Sequence, residues 1–158
     1  MNSSKSKAQN PKSIIGEFVC ASPEETFALG ERFAGSLQGG ETILLQGGLG
    51  AGKTLFVKGA MNVLDFDIDE VTSPSFTLVN LYRAKFDIYH IDLYRIERNA
   101  AFAVGLDDIL ENENAVVFIE WAERLADFPL PEKTIEISIA GDGDEPRQIT
   151  IKYLMNDK

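Results

Sequence analysis

Residues 47–54 read GGLGAGKT, which matches the phosphate-binding loop pattern G-x-x-x-x-G-K-[ST] at every fixed position. The flanking residues have the patterns that such a loop requires. Residues 42–46 form a short apolar run typical of a buried strand, and residues 55–64 have the pattern of a helix. A Gly-rich turn that matches by chance would lack this context, so the sequence predicts a P-loop nucleotide-binding site.

The predicted loop would hold phosphate groups through its backbone and through the side chains that follow it. Its glycines let N–H groups converge on phosphate oxygens, and the helix dipole adds to the attraction. Lys53 would reach the β- and γ-phosphates, and the Thr54 hydroxyl would ligate Mg²⁺. The predicted nucleotide-binding residues are Gly48, Leu49, Gly50, Ala51, Gly52, Lys53, Thr54 and Leu55.

Length and composition indicate one globular domain. The chain has 158 residues, 44% of them hydrophobic and 25% charged, which is enough to bury a substantial core. We expect residues 1–13 to be a disordered tail and residues 14–158 to form a single P-loop domain. The sequence contains neither a membrane-spanning run nor the apolar segment of a signal peptide, so we expect a cytoplasmic protein without a membrane partner.

Charge and the rare residues exclude several other roles. The formal net charge of −10 disfavours stand-alone binding of nucleic acid. Cys20 is the only cysteine and is expected to be a small buried residue. The only histidine, His90, lacks Cys or His partners, so a structural or solvent-facing role is favoured over a metal site. A local basic group is either a solvated face or a surface for an acidic partner or RNA; it comprises Arg83, Lys85, Arg95 and Arg98.

Periodicity predicts an α/β fold with a mixed sheet. Ser22 and Glu25 form a capping box for a helix that begins at Pro23, runs to about residue 38 and ends at Gly39-Gly40. Further helices are predicted at 101–110 and from 121 to 127. Strands are predicted at 14–20 and 115–120, with antiparallel hairpins at 76–82 with 86–94 and 134–140 with 148–154. The expected architecture is a P-loop fold with a parallel core, antiparallel edge strands and helices packed on the sheet.

Two acids end apolar strands, where side chains emerge beside a phosphate loop. Glu120 resembles the acid of a Walker B strand, and Asp92 would ligate Mg²⁺ or orient the attacking water. The predicted metal ligands are therefore Thr54, Asp92 and Glu120, and the predicted catalytic residues are Lys53, Asp92 and Glu120. The alternative is that each acid is an ordinary surface residue. The hydroxyl-rich segment 72–77 is equally consistent with a plain turn and with a loop that senses the γ-phosphate.

The chain contains four motifs in this order: the phosphate loop, SPSFTLV at 73–79, HIDLYR at 90–95 and EWAE at 120–123. Together they resemble the bacterial TsaE (YjeE) family, and the resemblance covers about residues 14–154. The chain departs from the family pattern at Gly48, Ser75, Ile91 and Ala122, and none of these departures removes a ligand. Members of this family are ATPases that act with TsaB and TsaD to form threonylcarbamoyladenosine in tRNA.

The resemblance implies an Mg²⁺-dependent ATPase that binds ATP and ADP. It implies nucleotide, metal and hydrolysis roles for Lys53, Thr54, Asp92 and Glu120. Trp121 would act near the nucleotide, although a residue after a buried strand is also a candidate for the core. Switch or partner-coupling roles are expected for Ser73, Ser75, Thr77 and Trp121. TsaB and TsaD are the expected partners, and tRNA would be reached only through them.

Other functions of a P-loop remain open at this point. A small-molecule kinase usually brings several arginines over the phosphates, whereas only Arg124 and Arg147 follow residue 100. The chain also lacks an evident arginine finger near the motifs, which is a reason to expect slow hydrolysis. An interaction module that binds nucleotide without hydrolysis would not need both Asp92 and Glu120. A GTPase is disfavoured because the chain has no suitably placed N-K-x-D string. No pattern identifies the adenine pocket or decides which acid contacts Mg²⁺ directly.

Overall fold

The computed structural model describes residues 14–74, 78–94 and 105–154. Within these ranges the strands and helices are β1 (Gly16–Cys20), α1 (Pro23–Ala34), β2 (Thr42–Gln46), α2 (Lys53–Val63), β3 (Val79–Arg83), β4 (Asp87–Asp92), α3 (Leu106–Leu110), β5 (Ala115–Glu120), β6 (Thr134–Ala140) and β7 (Arg147–Tyr153), with 3₁₀ helices at Ile68–Glu70 and Ala122–Leu125. The predictions for the tail 1–13 and for Ser75, Thr77, Arg95 and Arg98 lie outside the described residues.

The described strands form one seven-stranded sheet in the order β1-β7-β6-β2-β5-β4-β3. β2 pairs in parallel with β5 and β6, and β5 pairs in parallel with β4. Antiparallel pairs join β3 to β4, β6 to β7 and β1 to β7. These pairs confirm the predicted parallel core, the antiparallel edges and both predicted hairpins.

The sheet separates two hydrophobic clusters, and β5 contributes to both. Val116 and Phe118 pack in the larger cluster with residues of α1 and α2, while Val117 and Ile119 pack in the smaller cluster with Leu106 of α3. Successive side chains of a strand alternate between the two faces. The next residue in the Val116 and Phe118 series is Glu120, so this carboxylate lies on the face covered by α2.

Helices α1 and α2 pack with their backbones in close contact. A Cβ atom placed on Gly59 would lie 2.1 Å from the carbonyl oxygen of Phe27, and one on Gly30 would lie 2.3 Å from that of Phe56. Distances below about 3 Å are sterically forbidden, so only glycine fits at these two crossing points. The close approach holds the start of α1 beside the start of α2, where the phosphate loop ends.

Two predicted helices are shorter in the structure. Helix α1 ends at Ala34 and not near residue 38, because the Ser36 hydroxyl donates to the carbonyl oxygen of Phe33 at 2.7 Å and takes up a terminal acceptor. The predicted helix 121–127 is only the 3₁₀ helix Ala122–Leu125, flanked by positive φ angles at Trp121 and Ala126.

Proline chemistry accounts for the second difference. Pro129 and Pro131 follow the 3₁₀ helix and disfavour helical geometry in the residues before them. The predicted helix 101–110 is seen as α3, which begins after Gly105, and residues 101–104 lie outside the described ranges. None of the helices in the described ranges has the length and apolar character needed to cross a membrane.

Candidate nucleotide-binding site

The predicted phosphate loop joins β2 to α2 and uses backbone conformations that favour glycine. Gly50 has φ +77° and Gly52 has φ +116°, both in the left-handed region that L residues with a side chain rarely adopt. Gly52 is the N-cap residue of α2. Because glycine has no side chain, the cap does not compete for the first N–H groups of the helix, and these groups suit an anion.

Lys53 begins α2 and is only 5% exposed. Its Nζ donates to the carbonyl oxygens of Gly47 at 2.6 Å and Gly48 at 2.8 Å, and it lies 4.1 Å from the centroid of the Trp121 ring. Burial lowers the pKa of Lys53, and the negative charges of nearby acids, Glu120 first among them, oppose that effect. A bound anion at this point would favour the charged form of the lysine.

Thr54 and Glu120 are in direct contact. The Thr54 hydroxyl Oγ1 lies 2.9 Å from Oε2 and 3.2 Å from Oε1 of Glu120, so it donates to this carboxylate. Glu120 is 3% exposed. The two predicted metal ligands are therefore brought together, 66 residues apart in sequence, by the parallel pairing of β2 and β5.

Asp92 lies next to this pair and is also 3% exposed. Its Oδ1 accepts from the backbone N–H of Tyr94 at 2.8 Å, and its Oδ2 accepts from the Ser73 hydroxyl at 3.3 Å. The structure thus places Ser73, the described residue of the predicted switch set that precedes β3, against one of the two predicted acids. Neither acid is an ordinary surface residue.

These side chains surround one cavity of about 250 Å³. It is lined by Leu49, Gly50, Gly52, Lys53, Thr54, Leu55, Ser73, Asp92, Tyr94, Glu120 and Trp121. Six of the eight predicted nucleotide-binding residues take part, while Gly48 and Ala51 do not line it. All the predicted metal and catalytic residues do.

The donor set suits a magnesium ion held partly by a ligand. Thr54 and Glu120 offer oxygen atoms, which Mg²⁺ prefers, and Mg²⁺ is usually bound through one or two carboxylates together with substrate phosphates and water. Within the described ranges, no group of three or more His, Cys, Asp or Glu side chains is arranged to hold a metal without such a ligand. The residues present fit an ion that arrives with phosphate.

Trp121 belongs to the cavity and also packs on the core. Its φ is +60°, which turns the chain sharply after β5. The ring is half-buried against the smaller hydrophobic cluster, contacts Lys53, and lies 4.7 Å from the Tyr94 ring between centroids. This placement is compatible both with a packing role in the core and with the predicted role near a nucleotide.

Sequence reasoning missed the contacts of His90. Its Nε2 lies 2.6 Å from Oε2 of Glu120, and its Nδ1 lies 3.0 Å from the Tyr82 hydroxyl. The ring is fully buried, so the solvent-facing alternative is wrong. The sequence could have indicated a place for His90 near the site, because side-chain alternation along β4 puts His90 and Asp92 on the same face of the strand.

Arg147 was also missed as a neighbour of the loop. Its Nε donates to the carbonyl oxygen of Ala51 at 3.0 Å, and its Nη2 donates to that of Gly50 at 3.1 Å. The same guanidinium donates to carbonyl oxygens of Gly143 and Glu145 in the β6–β7 turn. Arg147 therefore connects that turn to the phosphate loop. No local pattern predicts a contact between residues almost a hundred positions apart.

A second cavity of about 290 Å³ lies on the other side of the loop. It is lined by Cys20, Ala21, Ser22, Pro23, Thr26, Gly50, Ala51, Gly52, Leu55, Gly143, Asp144, Glu145 and Arg147. Cys20 is buried and free, as predicted, and burial raises the pKa of its thiol. The two cavities share Gly50, Gly52 and Leu55, so they form adjoining spaces along the loop.

Comparisons with known proteins extend well beyond the loop. A family model described as "Threonylcarbamoyl adenosine biosynthesis protein TsaE" matches residues 20–149. The chain is 38% identical over 134 residues to the tRNA threonylcarbamoyladenosine biosynthesis protein TsaE of Treponema pallidum, covering 84% of this chain and 97% of that protein. It is 36% identical over 135 residues to the protein of that name from Bacillus subtilis, covering 85% and 83%.

A solved structure agrees with these matches. The crystal structure of YdiB from Bacillus subtilis matches this fold with a TM-score of 0.70 and 32% sequence identity, covering 89% of this chain and 86% of that chain. This match confirms the predicted P-loop fold.

Proposed function

Since the chain belongs to the TsaE family of threonylcarbamoyl adenosine biosynthesis proteins, we propose that it is an Mg²⁺-dependent ATPase that supports this tRNA modification together with TsaB and TsaD. One observation carries the proposal. Lys53, the Thr54–Glu120 pair and Asp92 all line the cavity at the start of α2, which is the set of groups that phosphoryl transfer requires.

Each of these groups has a role in the proposed reaction. Lys53 would bind the β- and γ-phosphates, and Thr54 with Glu120 would hold Mg²⁺, which would neutralise the charge that develops on them. Asp92 orients the attacking water. Its position supports this role, because the Tyr94 N–H and the Ser73 hydroxyl fix both carboxylate oxygens and water attack requires a fixed acceptor.

The adenosine part of the nucleotide is proposed to occupy the second cavity. The two spaces adjoin along the phosphate loop, and Gly50, Gly52 and Leu55 line both, so one ligand can extend from the first cavity into the second. The side chains immediately before α1 and in its first turn are small there, notably Ala21 and Thr26. Small residues leave room for a flat ring.

A bulky substitution at the mouth of the second cavity tests this placement. Ala21 is exposed and lines the cavity, so Ala21→Trp should weaken ADP binding at least tenfold and leave tripolyphosphate binding unchanged. Val19→Trp is the matched control, since Val19 is 66% exposed on the neighbouring strand and lies outside that cavity lining. Equal losses for ADP and tripolyphosphate, or no loss in Ala21→Trp, would contradict the placement.

The proposed activity is tested by steady-state ATP hydrolysis. The isolated chain should be slow, TsaB and TsaD together should raise its turnover, and tRNA alone should have little effect. Such dependence is expected because the site lacks an arginine directed at the phosphates from within the described residues: Arg147 bonds to backbone carbonyls, and Arg124 lies 5.7 Å from the Tyr94 ring centroid.

The control is Lys53→Ala, which should abolish nucleotide binding and hydrolysis under every condition because it removes the charge on the β- and γ-phosphates. Formation of threonylcarbamoyladenosine with TsaB, TsaD and tRNA should also require the wild-type chain and should fail with Lys53→Ala. Fast hydrolysis that is indifferent to TsaB and TsaD, or phosphate transfer to a small-molecule acceptor, would indicate an independent enzyme.

A further inference from the structure

We propose that His90 is a positioning residue for Glu120, and that Tyr82 holds His90 in the orientation this task requires. This inference rests on the proposed function, because it assigns Glu120 to the Mg²⁺ ion. It adds two residues that do not line the cavity and act only through a carboxylate that does. The result is a chain of polar contacts from the backbone of Thr72 to the Thr54 hydroxyl, whose middle members Tyr82, His90 and Glu120 are buried.

The distances along this chain are all within hydrogen-bonding range. The Tyr82 hydroxyl lies 3.3 Å from the Thr72 carbonyl oxygen and 3.0 Å from Nδ1 of His90. Nε2 of His90 lies 2.6 Å from Oε2 of Glu120, and this oxygen also accepts from Thr54 Oγ1 at 2.9 Å. The exposed fractions of Tyr82, His90 and Glu120 are 5%, 0% and 3%.

The chemistry of the partners decides the direction of these bonds. An ionised carboxylate can only accept, so Nε2 of His90 carries the proton that is donated to Glu120. In the neutral imidazole, Nδ1 is then an acceptor, and the Tyr82 hydroxyl shares its single proton between this nitrogen at 3.0 Å and the Thr72 carbonyl oxygen at 3.3 Å. Burial raises the pKa of Tyr82, which keeps its phenol protonated. The Glu120 carboxylate therefore selects the tautomer of His90, and the Tyr82 hydroxyl stabilises it from the other side of the ring.

The bond from His90 leaves the two oxygens of Glu120 in different situations. Oε2 is held by both His90 and Thr54, whereas the hydrogen bond to Oε1 among the described residues is the longer 3.2 Å contact from Thr54. Oε1 is thus the oxygen better placed for a metal ion or its bound water. A carboxylate fixed in this way does not have to be ordered when the ion binds.

The chain also joins Glu120 to the segment that contacts Asp92. Thr72, whose carbonyl oxygen faces Tyr82, directly precedes Ser73, whose hydroxyl donates to Asp92. A displacement of this segment would therefore disturb the hydrogen bonds that hold both acids. That link favours a role for residues 72 and 73 in reporting the state of the nucleotide.

The test measures how much Mg²⁺ strengthens ADP binding. For a fluorescent ADP analogue, the ratio of the Kd in EDTA to the Kd in Mg²⁺ should fall 10–100-fold in His90→Leu, the range typical of lost outer partners of a metal ligand. Tyr82→Phe should show a smaller fall, since it removes only the hydroxyl. His90→Gln should recover part of the effect, because its amide N–H can donate to Glu120.

Ile88→Val is the matched control. Ile88 is fully buried, is the register partner of Tyr82 and belongs to the larger hydrophobic cluster, so the substitution loosens the same region without touching the polar chain. It should leave the Mg²⁺ effect unchanged. If His90→Leu does not fold, Tyr82→Phe and His90→Gln still decide the outcome.

The outcomes separate this inference from the proposed function. Wild-type protein that binds ADP equally well with and without Mg²⁺ would overturn both. A full Mg²⁺ effect in His90→Leu and Tyr82→Phe overturns only the inference. So does a parallel loss of affinity in EDTA and in Mg²⁺, because it would mean that His90 supports folding and not the metal ligand.

Nitrogen NMR provides a second, direct readout. His90 is the only histidine in the chain, so the imidazole signals of a tag-free sample need no assignment. We expect a proton on Nε2 and an acceptor at Nδ1, with the Nδ1 shift changed in Tyr82→Phe and the Nε2 shift changed when Mg²⁺ is added to the ADP complex. A proton on Nδ1 with a bare Nε2 would overturn the assigned bonding.

Discussion

Asp92 and Glu120 are direct register partners across β4 and β5, yet their carboxylates have different neighbours. Glu120 is bonded to Thr54 and His90, on the side where the phosphate loop enters α2. Asp92 is bonded to Ser73 and to the Tyr94 backbone. The two acids occupy equivalent positions on adjacent strands, but their different hydrogen-bond partners suit them to different roles.

The first prediction separates these two roles. Glu120→Gln and Asp92→Asn keep the size of each side chain, and each should slow ATP hydrolysis by about 10²-fold or more. Only Glu120→Gln should also lose the strengthening of ADP binding by Mg²⁺, since only Glu120 contacts Thr54. Hydrolysis rates and ADP titrations with and without Mg²⁺ measure both effects.

Glu123→Gln is the control, because Glu123 is an exposed acid close enough to influence Lys53 but lies outside the lining of the first cavity. It should hydrolyse ATP at the parental rate. If both strand-end variants also hydrolyse ATP like the parent, neither acid is catalytic, and a nucleotide-dependent interaction module becomes the better description.

A second prediction follows from the lowered pKa of Lys53. Burial disfavours the charged form of Lys53 in the free protein, whereas bound phosphates favour it. Binding must then take up a proton once the pH exceeds the free-protein pKa. ADP affinity should be constant below that pKa and should fall as the pH rises through it. A titration over the alkaline range can follow this fall, because the phosphates stay fully ionised there.

Lys53→Arg supplies the comparison, since a guanidinium stays protonated throughout this range. Its ADP affinity, whatever its absolute value, should be nearly flat with pH. A decline of equal steepness in the variant would show that some other group is responsible.

Much of the candidate site was predictable because its main parts are local or periodic. The phosphate loop is one contiguous string, and Asp92 and Glu120 each end an apolar run, so strand, loop and acids could be assigned without coordinates. Sheet order could not be derived in this way. It depends on which strands pair across long sequence separations, and β2 lies between β5 and β6 in the sheet.

The residues that were missed depend on that pairing. His90 meets Glu120 only because β4 and β5 are adjacent and in register, and Arg147 meets the loop only because β7 begins beside it. The helix boundaries differ for a local reason. The Ser36 hydroxyl and the positive φ at Ala126 end helical structure earlier than periodicity indicates.

The third prediction concerns the contact between α1 and α2. Gly59→Ala should destabilise the fold by about 1–3 kcal/mol, because the added methyl group would meet the Phe27 carbonyl oxygen and the helices must separate. Gly48→Ala is the matched substitution, since nothing lies within 4 Å of a Cβ atom there. Thermal unfolding should show a clear decrease in Tm for Gly59→Ala only. Equal Tm values for the two variants would mean that the helix backbones are not in close contact.

The last prediction concerns Arg147 as an organiser of the phosphate loop. Its guanidinium donates to carbonyl oxygens of Gly50 and Ala51, and these bonds help to fix the backbone whose N–H groups would receive phosphate. Hydrogen bonds from charged groups contribute about 1.5–3 kcal/mol, so Arg147→Ala should weaken ADP and tripolyphosphate binding alike by about tenfold or more.

Arg83→Ala removes the same charge from an exposed site, where the 3.5 Å ion pair with Asp87 contributes little, and its affinities should match the parent. The loop amides would bind the phosphates of both ligands, so a disturbed loop should weaken both. If Arg147→Ala weakened only ADP binding, Arg147 would instead contact the adenosine part of the nucleotide. Unchanged binding of both ligands would show that the loop holds its shape without Arg147.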